Sequence, residues 1–141
     1  MDKRRLILTA LWWIWGLFLF GLLIALSHRP LFGSQVRAAW EWFVSNLLPT
    51  MSLVGATAYA GAGAERRPDP LLMPAFVLCV AASVAHLAAL TFSLLGSVSS
   101  ATPLDDLRTA SLWLGPLQAL ATSALGVFFL KTSPSTKRRT D

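Results

Sequence analysis

The chain has 141 residues, 55% of them hydrophobic and 13% charged, with a formal net charge of +5 and six tryptophans. A soluble domain carries about a quarter charged residues because its surface must face water. This composition therefore excludes an ordinary soluble globule, and its apolar bias excludes a disordered chain.

A helix that crosses the hydrocarbon core needs about 20 predominantly apolar residues. Charge-free stretches run over Leu6–Ser27, Trp42–Ala64, Pro70–Leu104 and Thr109–Leu130. The third has 35 residues, enough for one helix and a loop but too short for two. The sequence predicts an all-α membrane protein: a single four-helix transmembrane domain with spans at about 6–27, 43–64, 71–97 and 104–130.

The first span follows Met1-Asp2-Lys3-Arg4-Arg5, the outline of a signal peptide. Its apolar run is longer than the roughly 7–15 residues of a secretory h-region. Trp12, Trp13, Trp15, Phe18 and Phe20 also make it bulky, so it reads as a retained anchor and the lipid-facing helix. Cleavage after Ala25-Leu26-Ser27 is the alternative. Phe32, Val36, Trp40 and Phe43 then recur at helical spacing while Gln35, Arg37 and Glu41 face elsewhere. This predicts a short interfacial helix at about 32–42, with Trp40 and Trp42 at headgroup level, or else a partly ordered loop anchored by the same two tryptophans.

The second span is the least hydrophobic. Its Ser52, Ala56, Ala60 and Ala64 fall four apart, beside Thr57 and Gly61, which points to packing against protein rather than lipid. Asp69-Pro70 reads as the N-cap and first residue of the third helix, and Thr102-Pro103-Leu104-Asp105 as the start of the fourth. Asp105 and Asp106 would sit near the positive end of that helix dipole. Residues 132–141 read as a disordered cytoplasmic tail.

Basic residues set the orientation. Lys3, Arg4, Arg5, Arg66, Arg67, Lys131, Lys137, Arg138 and Arg139 fall on one side of a four-span chain, and Arg29, Arg37 and Arg108 on the other. The positive-inside rule places both termini in the cytoplasm. Basic residues that flank spans serve orientation and anionic lipid better than nucleic acid, so no nucleic-acid partner is expected. The excess of Arg over Lys and the compact loops fit a multi-pass protein of a bacterial inner membrane.

No Asp, Glu, Lys or Arg lies inside a span, which disfavours proton-driven export through a buried carboxylate. His86 is the titratable residue at depth. It shares a three–four stripe with Cys79, Ala82, Ala89 and Ser93, while Ser111, Gly115, Gln118, Thr122 and Gly126 form another on the fourth span. Packing of the two stripes predicts a His86–Gln118 hydrogen bond that holds helices together. Pro49 and Pro116 each lie eight positions beyond a charged residue, Glu41 or Arg108, and each frees a carbonyl four residues back. Such paired kinks fit two related hairpins, or a small vestibule lined by Asn46, Thr50 and Gln118.

A single cysteine, two histidines and acids confined to the helix ends supply no catalytic, cofactor-binding or metal constellation. The leading expectation is a small non-enzymatic membrane subunit, partnered by the lipid bilayer, that forms a homo-oligomer or joins a larger membrane-protein complex. A channel or membrane-permeabilising effector lined by Asn46, Thr50, Gln118 and Thr122 is the alternative, and a transporter of a small uncharged solute the second.

Overall fold

The computed structural model describes residues 3–29, 31–60 and 72–131, and the regular structure within them is entirely helical. Helix α1 spans Lys3–Ser27, α2 Val36–Ala60, α3 Leu72–Val98 and α4 Pro103–Lys131, with a 3-10 turn at Gly33–Gln35 before α2. The helices α1 and α3 each pack against two neighbours, and the four close into a ring in the order α1, α2, α4, α3. The α3–α4 seam is the most extensive and α1–α3 the slightest.

Three helices are long and apolar enough to cross a membrane: Lys3–Ser27, Met73–Val98 and Pro103–Phe129. Helix α2 is as long as α1, but Ser45, Asn46, Pro49, Thr50, Ser52 and Thr57 dilute its hydropathy. Large apolar side chains stand uncovered on all four helices, among them Ile14, Leu48, Phe92 and Leu112. A soluble monomer does not leave so much apolar surface in water.

Residues 32–42 do not form a separate interfacial helix. Gly33, at φ +50°, takes the left-handed conformation that glycine alone adopts without strain and so redirects the chain. From Val36 the helix then continues to Ala60. Nothing between Val36 and Pro49 is a helix breaker, so the amphipathic segment becomes the first turns of α2. Its tryptophans turn inward: Trp42 is buried, and Trp40 packs edge-on against Phe20 and Phe43 at 5.4 and 6.2 Å.

Helix α1 has two faces rather than one. Leu8, Trp12, Gly16, Leu19, Leu23 and Leu26 recur at three–four spacing on its buried side, while Ile14, Leu17 and Phe18 stay uncovered. At Gly16 a Cβ would lie 2.7 Å from the Met51 sulfur, so this glycine lets α2 come close. The predicted start of α4 is met: the Asp106 amide bonds the Thr102 carbonyl at 3.2 Å, with Pro103 as first helical residue. The Asp69-Pro70 cap, the Gly61 and Ala64 positions and the 132–141 tail lie outside the described residues.

Candidate functional site

His86 is completely buried in the bundle centre. Its Nε2 lies 3.1 Å from the backbone carbonyl of Asn46 on α2. A carbonyl can only accept, so Nε2 carries the ring proton and Nδ1 keeps a lone pair. That Nδ1 is buried without a hydrogen-bond partner. The imidazole stacks on the indole of Trp12, with centroids 5.9 Å apart and planes inclined by 29°. Trp12 in turn donates its Nε1–H to Ser83 Oγ at 3.0 Å, one turn before His86 on α3. Three helices therefore meet at one level: α1 through Trp12, α2 through the Asn46 carbonyl, and α3 through Ser83 and His86.

The turn that carries this carbonyl lies just before Pro49. Pro49 has no amide hydrogen, and its ring presses on the turn that contains Ser45 and Asn46. Asn46 Nδ2 folds back onto the Trp42 carbonyl at 2.8 Å, and Ser45 Oγ onto the same oxygen at 3.0 Å. The turn before the proline is thus held by side chains, and His86 adds a donor from a facing helix.

No family model, curated protein or solved structure matches the chain. What the site can do must be taken from its own geometry.

The expected His86–Gln118 bond does not form. Gln118 is half-buried, one turn before Thr122, which meets α2. The polar stripe of α4 contacts α2 instead: Trp42 Nε1–H donates to Ser111 Oγ at 2.9 Å, and Thr50 Oγ1 lies 3.4 Å from Thr122 Oγ1. Thr122 spends its own proton on the Gln118 carbonyl at 2.7 Å, which makes Thr50 the donor of that pair. Asn46 and Thr50 are buried, so α2 and α4 close on one another at the level where a vestibule was expected. Pro49 and Pro116 both face outward, away from these contacts.

Two further indoles act in the same way. Trp15 donates to Thr91 Oγ1 at 3.0 Å and Trp40 to Ser27 Oγ at 3.1 Å. Thr91, Ser27 and Ser111 each donate back to the carbonyl four residues earlier on their own helix. The hydroxyl is thereby oriented with a lone pair toward the indole. Each pin of this kind contributes about 0.6–2 kcal/mol in a lipid setting.

Arg5, read from the sequence as one of the orienting charges, is 1% exposed. Its guanidinium reaches the Phe129 carbonyl at 3.4 Å and lies 5.4 Å over the Phe129 ring. Phe129 belongs to the last turn of α4, whose carbonyls have no intrahelical donor and carry the negative end of the dipole. The sequence held a signal for this, since Arg5 is in phase with Leu8 and Trp12. Among the described residues no group of three or more His, Cys, Asp or Glu side chains gathers in one place. The site offers interhelical pinning and one bare imidazole nitrogen.

Proposed function

We propose that the chain is a four-span, multi-pass protein of a bacterial inner membrane, with both termini cytoplasmic, acting as a non-enzymatic subunit that assembles with copies of itself or with a partner. The observation that carries this reading is the outward face of α2. Ser45, Pro49, Ser52 and Ala56 lie exposed along one side of that helix, interrupting the uncovered Val44 and Leu48. Pro49 also leaves the Ser45 carbonyl without its intrahelical donor in the same stretch, and in hydrocarbon such a group needs another. Small side chains allow a second helix to approach closely enough to supply it. The length of α2, 25 residues, and the division of basic residues support the fourth span and the orientation.

The test is a mass and a cross-link. In mild detergent the native complex is expected to be heavier than one 15.3 kDa chain plus bound lipid. A Ser52→Cys variant should form a disulfide-linked pair under oxidation or label a partner, whereas Leu17→Cys on the apolar face of α1 should not. The native Cys79 is buried and should not interfere. A monomer mass with no cross-link at position 52 would sink the assembly reading.

A further inference from the structure

Where α3 ends and α4 begins, the two helices part to leave a groove of about 350 Å³. Phe92, Ser93 and Ser97 of α3 line one wall, and Asp106, Thr109 and Trp113 of α4 the other. The α4 residues fall at i, i+3 and i+7, so they share a helix face. No basic residue lines the groove. The nearest in sequence, Arg108, is drawn to Asp105 at 3.6 Å, and among the described residues the Asp106 carboxylate has no ion pair. Ser93 and Ser97 donate to their own helix, at the Ala89 and Leu94 carbonyls; Ser97 is buried, so Ser93 is the serine that offers lone pairs to the groove. Trp113 differs from the four pinning tryptophans: its ring is 44% exposed and its N–H donates to no described group.

We propose that this groove binds the headgroup of a primary-amine phospholipid, phosphatidylethanolamine, with its ammonium at Asp106. This rests on the reading of α3 and α4 as membrane spans. Asp106 lies in the first turn of α4, so the carboxylate stands at headgroup level while Trp113, about 10 Å further along the axis, reaches toward the acyl region. That gradient matches a phospholipid: ammonium to the carboxylate, glycerol ester to the Trp113 N–H, and chain along Phe92. The volume suits a headgroup and its first glycerol atoms.

The test compares nanodiscs of phosphatidylethanolamine, phosphatidylcholine and phosphatidylglycerol, reading lipids retained on the released protein by native mass spectrometry. Wild-type protein should retain phosphatidylethanolamine about fivefold over phosphatidylglycerol, the range of an exposed ion pair. Phosphatidylcholine, which has the charge but no N–H donors, should fall between them. Asp106→Asn should bring phosphatidylethanolamine down to the phosphatidylglycerol level. Gly96→Leu tests the groove separately, because a side chain there enters open space and fills it without a clash; it should abolish the preference with helix content unchanged. Unchanged preference in either variant overturns the proposal. Displacement of the lipid by millimolar free ethanolamine would overturn the lipid assignment in favour of a soluble amine. Failure of the wild-type chain to enter any bilayer would instead defeat the membrane reading itself.

Discussion

Along α3 and α4 the contact is extensive and apolar, with Phe76 meeting Phe128 at 5.8 Å and none of the described side-chain hydrogen bonds running between the two helices. Helix α1 touches α3 far more sparingly, yet two indoles bridge that seam, Trp12 to Ser83 and Trp15 to Thr91. The difference reflects the solvent. Lipid tails are as apolar as leucine, so a seam in a bilayer gains little from hiding carbon and must rely on close fit or on hydrogen bonds. Where α3 and α4 meet over an extensive contact, packing suffices. Where α1 meets α3 at few points, directional bonds fix the register.

That contrast can be broken by substitution, and the largest effect should come from Trp12→Ala. It removes a fully buried indole, its bond to Ser83 and its stack on His86, and should cost about 3 kcal/mol in equilibrium unfolding in mixed dodecyl sulfate micelles. Next, Ala121→Leu on the buried side of α4 should cost about 2 kcal/mol by overpacking, because a fully buried position has no room for added volume. Ser83→Ala should cost about 1 kcal/mol by leaving an indole N–H without an acceptor. If Ser83→Ala proved harmless, hydrogen bonds would not be what fixes the α1–α3 seam. Gly16→Ala should be the mildest, a few tenths of a kcal/mol, since the colliding atoms are the flexible end of Met51. Thermal midpoints in the same micelles would rank the four.

The helices were legible in the sequence because their lengths answer to the thickness of hydrocarbon and their charges are excluded from it. Thr102-Pro103 marked the start of α4 through local chemistry that no tertiary contact overrides. The burial of His86, in a charge-free stretch, agrees with that pattern, and its partner was not legible. Stripes at three–four spacing give the phase of a helix but not the order of helices around a ring. In the order α1, α2, α4, α3, the stripe on α4 turns to α2, and His86 finds a backbone carbonyl that has no side-chain signature. The pinning role of Trp12 was hidden differently. Aromatic bulk reads as lipid contact until its phase with Leu8 and Leu19 is counted, and counting it would have placed Trp12 inside.

The contact between Arg5 and the Phe129 carbonyl joins residues 124 positions apart, near the start of α1 and the end of α4. During synthesis the arginine emerges long before its acceptor. The clasp therefore cannot close, and the four helices cannot be fastened in this way, until α4 has left the ribosome. A chain interrupted before residue 129 keeps the arginine but never acquires this fastening, so the bond reports at the level of a single side chain that α4 has been made.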